Sequence, residues 1–218
     1  MKTKGIKSEF LIHPGKNKDI LFVVMDNIKR LGIIETICLA VTYLFLKISS
    51  AVKILLLNLR GYNVSSTVFI GGDFFALQKH KQSINIDDYT LIGNSVHLEC
   101  MGKGRIELGK RVNINDFVRI YAGKKVTIGQ GVMIAPFCFI IDMDHSFEGL
   151  LPVSDQPNVA SEIKIGNNVW LGKGVTVLRG VSIGDNAVIG ADSVVTKDIP
   201  PNSINVGIPA RIIGYRNK

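Results

Sequence analysis

The stretch IGNNVWLGKGVTVLRGVSIGDNAVIGADSVVTKDIP, residues 165–200, repeats every six residues without a gap. Each hexad begins with an aliphatic residue, often followed by glycine, and most have a small or aliphatic residue at the fifth position. An α-helix would need apolar residues three and four apart, and an ordinary strand would alternate at every second residue. A strict period of six predicts instead a chain that turns a corner every six residues. Three such sides close one coil of a triangular parallel β-helix.

The same period continues upstream in shorter blocks. The first positions of these hexads are Ile86, Ile92, Leu98, Leu108, Ile114, Ile120, Ile128, Ile134 and Ile140, with weaker matches at Val64 and Ile70. Short breaks at residues 76–85, 102–107 and 122–127 predict corner loops, whereas residues 141–164 predict a long excursion. Long insertions in a repeat array commonly carry function.

The first sixty residues differ from the rest in charge and in glycine content. They contain ten of the 26 basic residues, four of the 18 acidic residues and three of the 22 glycines, so most of the net charge of +8 lies there. We therefore predict a helical segment at residues 1–60 and a β-helix domain at 61–218. The absence of zinc-finger spacing and of a basic heptad helix argues against nucleic acid and favours an anionic membrane surface or a polyanionic partner.

An apolar stretch at residues 31–59 predicts one or two amphipathic helices. Glu35, Lys47 and Lys53 interrupt it, so it lacks the run of about 18 uncharged residues typical of a transmembrane helix. It also begins too far along the chain for a signal peptide. Three alternatives remain for this segment: a cap that packs on the β-helix, a peripheral anchor on the cytoplasmic leaflet, or a true membrane span.

Cysteine and histidine usage limits the compartment and the chemistry. Cys38, Cys100 and Cys138 form neither a CxxC pair nor a disulfide framework, which predicts a reducing compartment and a cytoplasmic protein, with the inner face of the membrane as an alternative site. No two of the four histidines lie within five residues of each other, so we expect no metal site.

The stretch NVWLGKGVTVLRGVSIGDNAVIGADSVVTKDIPPNSINVGIPARIIG, residues 168–214, resembles the C-terminal half of the hexapeptide-repeat acyltransferases that acetylate galactosides, maltose, xenobiotics and capsule sugars. This resemblance implies a left-handed β-helix, acetyl-CoA as the acyl donor, and a homotrimer with each active site between neighbouring subunits. We expect an O-acetyltransferase for a sugar of a capsule, an O-antigen or an exopolysaccharide.

On the acceptor side, His145 in IIDMDHSF stands where this family places its general base. Its neighbours Asp144 and Asp142 are expected to orient the imidazole or hold the acceptor, unless they are merely solvated. Asn115 in NINDF matches an asparagine that contacts the acceptor sugar, although an asparagine also suits a coil corner. Gly123 replaces an acidic acceptor contact of the same enzymes, which argues against a galactoside or maltose acceptor.

On the donor side, the resemblance implies contacts along the whole length of coenzyme A. A tryptophan lines the pantetheine arm, small residues keep the groove open, and basic residues meet the phosphates. The residues at these positions are Trp170, Gly172, Gly190, Ala191, Thr196, Lys197, Pro209 and Arg211. Lys173 departs from the pattern, because relatives often carry a small residue there.

Several other functions share part of this pattern. An antibiotic acetyltransferase would carry the same donor motifs, and N-acetylation of an amino sugar is also open. A serine acetyltransferase would have proline after its histidine, where this chain has Ser146. A non-enzymatic β-helix scaffold would need the hexads but neither His145, Trp170 nor the donor motifs.

Overall fold

The structure, a computed structural model, describes residues 28–30 and 32–216. The predicted helical segment at 1–60 is therefore described only in part, since residues 1–27 and 31 lie outside the described residues. A long helix, α1 (Ile33–Leu59), precedes the β-helix. The strands are β1 (Asn63–Val64), β2 (Phe69–Ile70), β3 (Phe74–Gln78), β4 (Ile84–Ile86), β5 (Leu91–Ile92), β6 (Val96–Cys100), β7 (Ile106–Leu108), β8 (Asn113–Ile114), β9 (Arg119–Ala122), β10 (Val126–Ile128), β11 (Met133–Ile134), β12 (Phe139–Ile141), β13 (Met143–His145), β14 (Asn158–Ala160), β15 (Ile163–Ile165), β16 (Trp170–Leu171), β17 (Thr176–Val177), β18 (Ser182–Ile183), β19 (Val188–Ile189), β20 (Val194–Val195), β21 (Ser203–Val206) and β22 (Arg211–Tyr215).

These strands form three sheets that wind into six coils. Sheet A contains β1, β4, β7, β10, β15 and β18, and sheet C contains β3, β6, β9, β12, β17 and β20. Sheet B contains β2, β5, β8, β11, β16 and β19, and the hairpin β21–β22 extends it. Coils 1 to 4 are β1–β3, β4–β6, β7–β9 and β10–β12, and coils 5 and 6 are β15–β17 and β18–β20. The parallel β-helix predicted from the hexads is confirmed.

The first and fifth residues of each hexad fill the interior of the prism, as the period of six predicts. The buried first positions from coil 5 onward are Ile165, Leu171, Val177, Ile183, Ile189 and Val195, and the buried fifth positions are Val169, Val175, Val181, Ala187, Ser193 and Ile199. Burying an aliphatic side chain stabilises a fold by about 1.5–3 kcal/mol. One continuous column of such residues therefore holds all six coils together.

The corners of the coils turn at the fourth residue of a hexad. Asn168, Asn186 and Asp192 have φ angles of 53°, 61° and 57°, in the left-handed region that asparagine and aspartate tolerate better than most residues. The glycine at the second position has another role. A Cβ atom on Gly172 would lie 2.7 Å from the backbone nitrogen of Ala191 in the next coil. Glycine is needed there because neighbouring coils approach closely.

The breaks in the hexad pattern are shorter than predicted. Strands β3, β6 and β9 continue beyond the pattern because each pairs in register with its neighbours in sheet C. The corner loops are therefore residues 79–83, 101–105 and 123–125. The predicted excursion at 141–164 narrows to residues 142–162 and contains an antiparallel ribbon, β13 with β14.

The chain forms two compact units that divide within α1, between Lys47 and Ile48. The second half of the helix thus belongs to the same unit as the β-helix, whereas the sequence predicted a boundary at residue 60. In this unit Ile54 and Leu57 join the buried core. By length and composition alone, α1 is also the one helix among the described residues that is long and apolar enough to cross a membrane.

Candidate active site

The predicted site residues lie along two edges of the prism. The C–A edge, where the chain leaves sheet C for sheet A, carries Gly123, Asp142, Asp144, His145, Thr196 and Lys197. The B–C edge, where the chain leaves sheet B for sheet C, carries Asn115, Gly172, Gly190 and Ala191, with Trp170 on the adjoining strand β16.

His145 is the last residue of β13 and stands opposite Asn158 of β14. Its side chain is exposed, and no hydrogen bond of its ring is present among the described residues. The ribbon that carries it is held against coil 5, because the Gly180 N–H donates to the Ser161 carbonyl over 3.1 Å. A histidine on a strand is better positioned than one on an irregular loop, and a neutral imidazole nitrogen is available as a proton acceptor.

Asp144 does not orient the imidazole, which corrects one of its predicted roles. Its carboxylate accepts a hydrogen bond from Nε of Arg179 over 2.6 Å, at a partly exposed position. Adjacent residues of a strand point to opposite faces, so the Asp144 carboxylate points away from the His145 ring. This ion pair links the ribbon to coil 5, and a contact of Asp144 with the acceptor stays a prediction.

Asp142 has a structural role, which corrects its predicted contact with the acceptor. The side chain is fully buried. Its carboxylate accepts three backbone hydrogen bonds, from the N–H groups of Gly123 at 2.6 Å, Lys124 at 2.9 Å and Lys125 at 2.6 Å. Hydrogen bonds to a charged group are worth about 1.5–3 kcal/mol each. The residue therefore closes the turn at 123–125 and ties it to the start of the ribbon.

Asn115 lies at the B–C edge of coil 3, directly after β8. Its side-chain Nδ2 donates to the Ile134 carbonyl of coil 4 over 3.0 Å, while its Oδ1 makes no hydrogen bond among the described residues. The residue is partly exposed. The amide thus supports the coil stack, as a corner asparagine would, and still has an acceptor atom for a ligand.

The first group of donor-side residues comes together at the B–C edge of coils 5 and 6. Trp170 points outward from sheet B and is 51% exposed, with Met133 and Val188 beside it on the neighbouring strands. Gly172 packs against Gly190 and Ala191 so closely that no side chain fits between the coils. The small residues leave a shallow surface next to the indole.

The second group lies at the last coil. Thr196 and Lys197 follow β20, and both are exposed. The loop before β22, which contains Pro209, is held against β20 because the Ala210 N–H donates to the Val194 carbonyl over 2.8 Å. Arg211, also exposed, pairs with Val206 at the end of β21 and therefore lies at the B–C edge of the last coil. The two motifs that resemble nucleotide contacts thus lie at the same end of the prism but on different edges of one chain.

A groove on the outer face of sheet C was not predicted. Its volume is about 460 Å³, and Phe117, Arg119, Tyr121, Phe137 and Phe139 are among its lining residues. The rings of Phe117 and Phe137 are stacked with centroids 5.0 Å apart, and both residues have positive φ angles, 61° and 64°. Bulky residues in this region cost about 1–3 kcal/mol each and are concentrated at functional sites. The signal was present in the sequence, because both occupy the fourth hexad position, where coils 5 and 6 carry only asparagine, aspartate or glycine.

One chain does not bring all predicted residues together. Asn115 and His145 lie on different edges, with the width of sheet C between them, which is about 20 Å for six extended residues. The same separation divides Trp170 from Lys197. In the described part of the chain, no group of three or more His, Cys, Asp or Glu side chains is arranged to hold a metal ion.

Comparison with known proteins agrees with this geometry. Residues 162–197 match the model of the family described as bacterial transferase hexapeptide (six repeats). The lipopolysaccharide biosynthesis O-acetyl transferase WbbJ of Escherichia coli (strain K12) is 41% identical over 144 residues, which are 62% of this chain and 73% of WbbJ. The chain belongs to the bacterial hexapeptide transferases.

Solved structures of hexapeptide transferases share the fold. A maltose O-acetyltransferase from Clostridium difficile 630 is 31% identical and aligns over 73% of this chain and 72% of its own, with a TM-score of 0.53. A mutant of AntD, an N-acyltransferase from Bacillus cereus, is 20% identical and aligns over 74% of this chain and 88% of its own, with a TM-score of 0.65. The family and the left-handed β-helix predicted from the sequence are confirmed, and the protein is an acetyltransferase of this family.

Proposed function

We propose that this hexapeptide transferase is an acetyl-CoA-dependent O-acetyltransferase that acts on a sugar of a bacterial surface polysaccharide or on its precursor. The observation that carries the proposal is the placement of His145: it is exposed, it interrupts the coils on an ordered ribbon, and it shares an edge with Lys197. The identity with WbbJ, named for lipopolysaccharide biosynthesis, supports the class of acceptor.

In the proposed reaction, His145 acts as a general base. It takes the proton of a sugar hydroxyl while the hydroxyl oxygen attacks the thioester carbonyl carbon of acetyl-CoA. The carbon–sulfur bond then breaks, and the imidazolium returns the proton to the departing thiolate. The transfer is direct, needs no metal, and leaves the enzyme unchanged. A general base of this kind accelerates a reaction by about 10²- to 10⁴-fold.

Coenzyme A is proposed to bind through the two donor-side groups. The exposed Lys197 and Arg211 supply charge and forked hydrogen-bond donors for the 3′-phosphate and the pyrophosphate. The exposed Trp170, beside the Gly172 surface, would line the pantetheine arm. The contact between the loop before β22 and β20 supports this assignment, because it brings the two phosphate-binding motifs to one end of the prism.

The working form is proposed to be a homotrimer, with each active site between two chains. The separation of the two edges supports this, because the C–A edge of one chain and the B–C edge of the next would together supply His145 and Asn115. A contact between different surfaces of identical chains closes into a ring when the rotation permits. The strained, exposed Phe117 and Phe137 lie on the B–C edge, where such a neighbour would cover them.

Gly123 supports an acceptor other than a galactoside or maltose. A Cβ atom on this residue would lie 2.9 Å from the Met143 sulfur and 3.3 Å from the Ala160 side chain. The ribbon therefore occupies the space that an acidic side chain at position 123 would need. An acceptor held here would depend on other contacts, and the free Oδ1 of Asn115 from the next chain of the proposed trimer is a candidate.

The test is acetyl transfer from acetyl-CoA to a panel of sugars, with hydroxyl-only and amino-sugar acceptors side by side. For His145→Ala we expect a loss of about 10²- to 10⁴-fold in turnover at unchanged coenzyme A affinity. The control is His80→Ala, which removes an exposed histidine of a corner loop and should leave turnover unchanged. Near-normal turnover of His145→Ala would contradict the assignment, and transfer to amines alone would replace O-acetylation by N-acetylation.

A further inference from the structure

The second half of α1 is fixed to the first coil by polar as well as apolar contacts. The Ile70 N–H, on the end strand of sheet B, donates to Oγ of Ser50 over 2.9 Å, and Nζ of Lys53 donates to the Gly72 carbonyl over 2.8 Å. Ile54 and Leu57 are buried on the same face. This face of the helix therefore covers the open end of the prism and satisfies backbone groups that a bare end strand would expose.

The opposite face of this half carries a row of exposed apolar side chains, here called the apolar stripe. It consists of Ile48, Val52, Leu55, Leu56 and Leu59, which are between 49% and 75% exposed. Their spacing of four, three, one and three residues places them on one side of the helix. Single exposed leucines are ordinary, but a continuous stripe of five marks an interaction surface.

The exposed apolar residues of the first half of α1 lie on one side of the helix, within about 120° of its circumference. They include Ile33, Ile34, Ile37, Val41, Leu44 and Phe45. An apolar face of this width is typical of a helix that lies against a large protein or in the interface of a membrane. A seam between two helices would be narrower, with polar residues on both flanks. This pattern favours lipid over a second copy of the chain as the occupant of the stripe.

Charge favours an anionic lipid surface. Between residues 28 and 60 the chain has five basic residues and one acidic residue, Glu35. Lys53 faces the prism, which leaves Lys29, Arg30, Lys47 and Arg60 for a lipid surface. Basic residues next to an apolar helix face strengthen binding to anionic headgroups, and each contributes about 1 kcal/mol near such a surface.

A span across the bilayer is not compatible with these contacts. The full helix is about 40 Å long, enough to cross a hydrocarbon core of about 30 Å. However, Ser50, Lys53, Ile54 and Leu57 hold its second half on the prism. Glu35 and Lys47 leave a charge-free run of eleven residues, which is only about 16 Å of helix.

We propose that α1 docks the enzyme on an anionic phospholipid surface through the apolar stripe while its opposite face caps the first coil. The cap and the anchor, which the sequence left as alternatives, are then two faces of one helix. The proposal goes beyond acetyl transfer and does not depend on it, since vesicle binding requires neither donor nor acceptor.

The experiment is co-sedimentation of the full chain with phosphatidylcholine vesicles, with and without about 30% phosphatidylglycerol, across salt concentrations that change the screening length. We expect binding that needs the anionic lipid and weakens as salt rises. The double variant Val52→Glu and Leu56→Glu should bind at least about 100-fold more weakly, because each charge opposes burial of one stripe residue. The matched control, Ile212→Glu and Ile213→Glu, places the same exchange at exposed positions of β22 and should bind like the parent.

A second measurement uses the exposed Cys38 of α1, since the other two cysteines are buried. An environment-sensitive fluorophore on Cys38 should shift to the blue when anionic vesicles are added. Parent protein that ignores both vesicle types overturns the proposal, and so does a stripe variant that binds like the parent. A stripe variant that keeps vesicle binding but changes the oligomeric state, measured by light scattering, would assign the stripe to a second copy instead.

Discussion

Mixed trimers would test the proposed homotrimer and its active site between two chains. The two variants are His145→Ala, on the C–A edge, and Asn115→Ala, on the B–C edge. Alone, the first should lose about 10²- to 10⁴-fold in turnover. The second should lose about 10- to 100-fold in kcat/KM, since it removes a hydrogen bond worth about 1.5–3 kcal/mol to a partly charged reacting group.

The expected activity of the mixture follows from the edge arrangement. In a ring, each site combines the C–A edge of one chain with the B–C edge of the next. A trimer with two chains of one variant and one of the other has three such junctions. One junction joins an intact His145 to an intact Asn115. A second junction has only one of these two residues, and the third has neither. Every mixed trimer should therefore show about one third of parental activity, well above either variant alone.

The assay needs co-expression with two affinity tags, tandem purification of mixed trimers and measurement of acetyl transfer per trimer. The control pairs His145→Ala with Lys197→Ala at limiting acetyl-CoA. These residues share the C–A edge, so every site in the mixed trimer lacks one of them. Its activity should stay at the average of the two single-variant trimers, weighted by the number of chains of each. A site between chains would be refuted if mixed trimers of His145→Ala and Asn115→Ala are no more active than the average of the two single-variant trimers.

Three further changes have expected outcomes. Asp142→Asn should lower the free energy of unfolding by about 3–5 kcal/mol in urea, because its NH2 group would face at least one of the three N–H donors and the remaining hydrogen bonds would lose their charged acceptor. The exposed Asp155→Asn is the control, and a loss below about 1 kcal/mol would contradict the structural role. Lys197→Ala should raise the acetyl-CoA KM by about 10- to 100-fold and spare the acceptor KM, and parent enzyme that binds the 3′-dephospho form equally well would argue against a phosphate contact. Burial raises the pKa of Cys138 to about 11 and that of Cys100 to about 12. At about pH 8 the native protein should therefore react with one iodoacetamide, on the exposed Cys38. Two adducts in the mass spectrum would contradict this expectation.

The coils could be predicted because every hexad repeats the same physical requirement. An inward aliphatic at positions one and five and a glycine where coils approach are local features, so residues 165–200 suffice to define the prism. The ribbon could not be predicted, because β13 and β14 are short and pair with each other across a loop without an alternating apolar pattern. The sequence shows where the hexads stop and not what replaces them.

The candidate site was only partly predictable for a related reason. Asp142 resembles a solvated loop acid in the sequence, and its burial depends on three N–H groups supplied by a turn seventeen to nineteen residues earlier. Phe117 and Phe137 were missed because a fourth-position phenylalanine looks like one more apolar residue until its positive φ angle is known. Such contacts between distant positions are set by tertiary structure, which periodicity alone does not report.

Because α1 closes the first coil, the number of coils sets the distance between this helix and His145. Coils stack about 4.8 Å apart, so His145, at the end of coil 4, stands about 14 Å beyond coil 1 along the prism axis. With α1 resting on a bilayer, adding or removing one coil below β13 would raise or lower the histidine by about 4.8 Å without altering its ribbon. The distance of the histidine from the membrane would then change in steps of one coil, which is eighteen residues. Relatives that differ by eighteen residues in this region would reach different positions along the same membrane-linked glycan.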